Sequence, residues 1–203
     1  DAIGGSPVYT ATGLGVQVFG DIVVGPNATT TVDFTNQDPA LNIDGNMTIG
    51  TLGTLIASDS GQFTLAGNYD NNGTFTAGGG TVTFDGTGTQ TIAAGNSSFA
   101  TALIDGTGDH TITENATATA AFTLTNTNAF TLNSGQNLAV GGTFTNGIGG
   151  ATTTWTGSVL RLYGGGNYEI NASTTEDTYA TLAVAANTQI RMWNSDATTV
   201  TVA

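Results

Sequence analysis

Apolar residues alternate with Thr over short runs along this chain. Thr74-Phe75-Thr76, Thr81-Val82-Thr83-Phe84, Thr111-Ile112-Thr113, Phe122-Thr123-Leu124 and Thr143-Phe144-Thr145 all follow a period of two. That period puts the apolar set on one side of a strand and the Thr set on the other. Val, Ile, Phe and Thr also suit a half-buried pleated surface. Gly and Asn clusters separate the runs, at Asn71-Asn72-Gly73, Gly78-Gly79-Gly80 and Gly164-Gly165-Gly166 among others. Such residues accept the backbone angles of tight corners. No stretch carries the stripe of an amphipathic helix. The pattern predicts an all-β chain.

Self-similarity decides which all-β architecture. Phe84-Asp-Gly-Thr-Gly-Thr-Gln-Thr-Ile92 matches Ile104-Asp-Gly-Thr-Gly-Asp-His-Thr-Ile112 at a shift of 20. The same shift relates Tyr168-Glu-Ile170 to Thr188-Gln-Ile190. A longer shift of 80 relates Phe19-Gly-Asp-Ile-Val-Val24, Phe99-Ala-Thr-Ala-Leu-Ile104 and Tyr179-Ala-Thr-Leu-Ala-Val184. A β-sandwich also has short strands, but its strands occupy unlike positions and need unlike sequences. A parallel β-helix, or β-solenoid, stacks one coil on the next and repeats by construction. The expectation is a single-stranded solenoid of about ten rungs of ~20 residues, with a higher-order repeat of ~80. Ten rungs at the interstrand spacing make a rod on the order of 48 Å long. Residues 1–18 read as an irregular or capping segment and 19–203 as the solenoid. The pattern ends in mid-strand after Val200 and Val202, so the expected neighbours are further solenoid modules or copies of the chain.

The run Gly73–Ile92 resembles repeats in large bacterial surface proteins, the parallel β-helices of the filamentous-adhesin and autotransporter-passenger kind. The segment Tyr179–Ser195 is similar to repeats in very long bacterial surface proteins. This resemblance implies a secreted or surface-anchored solenoid. It brings no catalytic residues with it.

Composition narrows the chemistry. The chain has 203 residues, 2 basic and 15 acidic side chains, a formal net charge of −13 and no Cys. The two basic residues are Arg161 and Arg191, so Lys is absent. A nucleic-acid footprint needs clustered Lys and Arg, and is excluded. Zinc sites built on Cys or several His are excluded too, since His110 stands alone. No apolar run is long enough for a membrane-spanning helix, so no membrane insertion is expected in this segment. The 41 Thr, 18 Asn and 30 Gly fit a stack that lays each residue on its equivalent. Repeated like charges would repel there. The absence of both Lys and Cys fits an extracellular, disulfide-free protein.

Few residues suggest a site. Asp85 and Asp105 stack if the 20-residue register holds, with Asp109 close by, and such carboxylates could share Ca²⁺. The plainer reading is that these Asp cap their own turns. Arg161, Tyr163, Arg191 and Trp193 could form a patch for surface glycans, whereas Trp155 reads as core. Thr-x-Thr pairs such as Thr81/Thr83 and Thr143/Thr145 would suit an ice-binding face, but they also bracket inward apolar residues in any Thr-rich β-helix. Six Asn-x-Ser/Thr sequons, at Asn27, Asn46, Asn72, Asn96, Asn115 and Asn171, are close to what this composition yields by chance. A β-helix lyase needs basic residues that are missing, and His110 has no evident nucleophile, so no enzyme is expected. The reading is a non-catalytic structural or adhesive surface module without an obligatory cofactor. Its alternatives are a self-assembling filament subunit and a glycan-binding or polysaccharide-degrading β-helix.

Overall fold

A computed structural model describes residues 15–95, 97–148, 152–165, 167–170, 177–186, 191–193 and 200–202. Its described elements are strands, and the pairings between them are parallel. The chain winds as a three-faced β-solenoid. On the first face lie Leu41–Ile43, Phe63–Leu65, Thr81–Phe84, the second halves of Ser98–Ile104 and Ala116–Leu124, then Thr143–Asn146, Asn167–Ile170 and Arg191–Trp193. The second face stacks seven strands, from Ile22–Val24 through Met47–Ile49, Tyr69–Asn71, Gln90–Ala93, Asp109–Ile112 and Ala129–Leu132 to Thr153–Thr154. The third face runs from Thr30–Asp33 through Gly53–Ile56 and Thr74–Thr76, then the first halves of the two long strands, to Asn137–Val140, Val159–Leu162 and Thr181–Val184. Gln17–Phe19 already pairs with Leu41–Ile43, so the ladder begins inside the segment expected to be a cap.

Alternation dictates which side chains enter the lumen. Leu41 and Ile43, Phe63 and Leu65, Val82 and Phe84, and Phe122 and Leu124 are buried, while Asn42, Thr64, Thr83 and Thr123 between them face outward. Rings fill the shared lumen. Tyr69, Phe84 and Phe99 meet edge to face at centroid distances of 5.7–6.1 Å, although each comes from a different face. Higher up, in-register partners stack flat, Phe122 on Phe144 at 6.2 Å and Phe144 on Tyr168 at 5.5 Å. Trp155 is buried, as its position between Thr154 and Thr156 predicts.

The shift of 20 is the local register: Val82 pairs with Ala102, Phe84 with Ile104, Gln90 with His110 and Ile92 with Ile112. Elsewhere the rung length varies. Successive first-face partners are Leu41, Phe63, Val82, Ala102, Phe122, Phe144, Tyr168 and Met192, which gives steps of 22, 19, 20, 20, 22, 24 and 24 residues. Longer rungs leave about seven turns, the depth of the seven-stranded second face, rather than ten. Tyr168 pairs with Met192, so the shift of 20 does not extend to Tyr168–Ile170; Thr188–Ile190 lie outside the described residues. The 80-residue landmarks also separate. Phe19 lies on the first face and Phe99 on the third, while Tyr179 pairs with Val202 in a two-stranded sheet. One lumen accepts an apolar side chain from any face, so similar residues at that shift need not share a column.

The corner between the first two faces is tied from rung to rung. Asp21 Oδ1 accepts the Asn46 N–H at 2.6 Å, Asn46 Oδ1 that of Asn68 at 2.9 Å, and Asn68 Oδ1 that of Thr91 at 2.8 Å. Glycines let this corner close up. A Cβ on Gly86 would lie 2.7 Å from the Ala66 carbonyl oxygen, inside van der Waals contact. Deleting residues 82–101 removes one whole rung and sets Ala102 where Val82 had been, in the same register. That variant should keep a β circular-dichroism spectrum and a cooperative melt. Deleting only 82–91 should abolish the cooperative melt, because it puts a second-face strand on the first face. Equal melting of the two variants would refute the register.

Candidate functional site

Four places on this scaffold carry chemistry. The first is an acidic column at the corner after the first face. Asp44, Ala66, Asp85, Asp105 and Thr125 donate their backbone N–H groups to Phe19, Ile43, Leu65, Phe84 and Ile104 respectively, which makes them equivalent positions on successive rungs. Asp85 and Asp105 are therefore stacked neighbours. Asp85 Oδ1 is buried without a hydrogen-bond partner. Burial raises the Asp85 carboxyl above its ordinary pKa, and the charges of Asp44 and Asp105 push the same way. Asp105 Oδ1 accepts the Thr125 hydroxyl at 2.9 Å, and Asp109 Oδ1 accepts the Asn128 amide at 2.6 Å. The structure thus pairs Asp85 with Asp105 and turns Asp109 to a different partner. Among the described residues, no three His, Cys, Asp or Glu converge on a metal site. Ca²⁺ takes six to eight oxygens, far more than this pair supplies.

Arg161 is exposed on the third face, in register between Ala139 and Ala183. Its guanidinium lies 5.9 Å from the centroid of the Tyr163 ring, at the outer range of a cation–π contact. Arg191 and Trp193 stand instead on a first-face strand, opposite Asn167 and Glu169. The backbone therefore divides the four expected patch residues between two faces; the side chains of Arg191 and Trp193 lie outside what is described.

His110 points into the lumen and is 1% exposed. The single Thr127 hydroxyl hydrogen is directed at the carbonyls of Gly108 and Ala129, each 2.8 Å away. His110 Nδ1 must therefore donate to Thr127 Oγ1, at 2.7 Å. Its Nε2 then carries a lone pair with no partner, buried in the lumen. Burial lowers the His110 pKa, opposed by the Gly108 carbonyl and the charge of Asp109. Below it in register, Gln90 is fully buried and donates its side-chain amide to the carbonyls of Leu65 and Gly67 while accepting the Gly86 N–H. Both residues close the rung corner from inside.

The last place is a cleft of about 340 Å³ on the corner between the second and third faces. Asn71, Asn72, Gly73, Gly95, Glu114, Asn115 and Gln136 line it, from successive rungs. A second cleft of about 410 Å³ shares Gly73 and continues along Thr74–Ala77 to Ser97 and Ser98. Glu114 Oε2 accepts the Gly95 N–H at 2.9 Å, and Asn71 donates to Ser97 Oγ at 2.6 Å. Sequence reasoning did not single out this corner. Its signal is a polar pair at three of the four turns concerned, Asn71-Asn72, Glu114-Asn115 and Gln136-Asn137, with Ala94-Gly95 at the other. Compared with known proteins, the chain matches no family model, no curated protein and no solved structure. Its class rests on the geometry alone, and that geometry is a parallel β-solenoid.

Two titrations test these environments. A carboxyl whose folded pKa is raised costs stability as the pH climbs from its ordinary value to the raised one, so the gain from Asp85→Asn should build up across that window and be full above it. The expected gain in Tm is about 2 °C at neutral pH, the size of an ordinary single-site effect in a chain of this length, and none in strong acid. A gain that persisted in acid would contradict the assignment. His110 works in the opposite direction. Its folded pKa lies below the ordinary 6.5, so stability is complete above 6.5 and falls as the pH drops toward the folded value. Chemical denaturation across this window should show the slope in the parent chain and a flatter one in His110→Gln.

Proposed function

We propose that this chain is a non-catalytic structural module, a stretch of β-solenoid stalk or fibre in an extracellular or cell-surface protein. One observation carries the reading. The in-register ladder runs along the first face from Leu41 to Met192, with hydrogen bonds directed along the rod axis. Such a ladder resists bending and presents the same outer face rung after rung. The surface supports the reading as well. No in-register pair among the described strands joins two like charges, and Thr91, Thr111, Thr131 and Thr154 make one uncharged column. An acidic chain of this kind stays soluble while offering little to anionic partners. The resemblance of Gly73–Ile92 to filamentous-adhesin and autotransporter-passenger repeats agrees with placement outside the cell. The proposed partners are neighbouring solenoid modules or further copies, met through the end rungs and held by strand pairing.

Pulling a single molecule by its two ends tests the structural role. Each rung released should lengthen the chain by the extended span of its residues, about 70 Å for ~20 residues. A series of such steps, each resisting force, is the expected record. Collapse of the whole rod in one low-force event would contradict a stalk, and release of reducing sugar from polysaccharides by the purified chain would contradict a non-catalytic one.

A further inference from the structure

The cleft between the second and third faces has features that a stalk does not need. It follows the rod axis, because its lining residues come from successive rungs at one corner. Its volume of about 340 Å³ falls within the range of small-ligand sites. The bonds around it fix which polar atoms remain unused. Asn72 donates its amide to Asp70 Oδ1 at 2.8 Å, which leaves Asn72 Oδ1 as an acceptor. Asn115 Oδ1 accepts both the backbone and side-chain N–H of Asn137, at 2.9 and 3.2 Å, which leaves Asn115 Nδ2 as a donor. Glu114 uses Oε2 on Gly95 and keeps Oε1. The Gln136 amide has no hydrogen bond among the described residues and offers both kinds of group. Donors and acceptors thus share one wall, spaced by the rung repeat of ~4.8 Å.

We infer that this corner is a binding groove for an uncharged, extended glycan chain. Sugar hydroxyls donate and accept at once, and so match a wall that mixes amide donors with amide and carboxylate acceptors. A β-linked chain lies straight and follows a straight axis, whereas a coiled α-linked chain leaves it. Charge settles the class of sugar. No lining residue is basic, Glu114 stands in the wall and Asp70 is held beside Asn72. Uronic or sialic acids would place carboxylates against these two without any compensating cation. The site differs from the Arg161 and Tyr163 contact, which lies on the third face.

Calorimetric titration of the full chain with cellohexaose, chitohexaose, maltohexaose and an oligogalacturonate tests the assignment. The expected result is binding of cellohexaose or chitohexaose in the micromolar to millimolar range, with maltohexaose weaker and the oligogalacturonate not bound. Asn72→Ala with Gln136→Ala should weaken binding at least tenfold while the circular-dichroism spectrum stays that of the parent. Arg161→Ala, outside the groove, should bind as the parent does. Absence of heat with both β-linked hexasaccharides would overturn the inference. So would equal affinity in the double variant, or preference for the acidic or α-linked probe. The pulling experiment has a separate outcome, so a stalk without this groove and a groove on a weak rod are distinguishable.

Discussion

Every rung of this protein hydrogen-bonds to the equivalent residues of the next, and the rest of the structure answers to that constraint. Parallel pairing lays side chain over side chain at ~4.8 Å, so a residue must tolerate a neighbour in its own column. Thr and Asn do so by trading hydrogen bonds, as Asn46 and Asn68 do in the corner ladder. Aromatic rings do so by stacking, as Phe122, Phe144 and Tyr168 do inside. Charges do not. Where two acids do coincide, at Asp85 and Asp105, one carboxyl oxygen is left buried without a partner and its pKa rises. The sparse charge of the chain is thus a consequence of stacking.

The local register was legible because Asp85-Gly-Thr-Gly and Asp105-Gly-Thr-Gly form equivalent corners, and equal corners require equal rungs. The longer period was misleading for a physical reason. Phe19 and Phe99 serve the same lumen from different faces, so their similarity reflects burial and not position. Rung lengths from 19 to 24 residues arise in the corners, where Gly, Asn and Ser can add or drop a residue at little cost to the ladder. Such changes leave no apolar mark in the sequence. Polar residues inside were hidden too. Gln90 and His110 sit at inward positions of strands, and only their carbonyl and hydroxyl partners from other rungs explain why.

Those same variable corners produce the protein's distinctive surface. The faces repeat from rung to rung, and the clefts lie at and beside the corner between the second and third faces. The shift of 20 puts Asp85 over Asp105, and the two do occupy equivalent corner positions on successive rungs. The amide-lined groove is less legible, because Asn72, Glu114, Asn115 and Gln136 come from successive rungs and share no short sequence motif. A regular ladder supplies the rod, and irregular corners supply its specific chemistry.

Spin labels read that ladder directly, since the chain has no Cys of its own. Thr91, Thr111 and Thr131 are in-register neighbours on the second face and point outward between buried residues. Replacing all three by Cys and attaching nitroxides should give a strongly broadened spectrum, because adjacent labels lie one strand spacing apart. Each singly labelled chain should give three resolved lines. Three resolved lines from the triple-labelled chain, equal to the sum of the single ones, would contradict the parallel in-register stack.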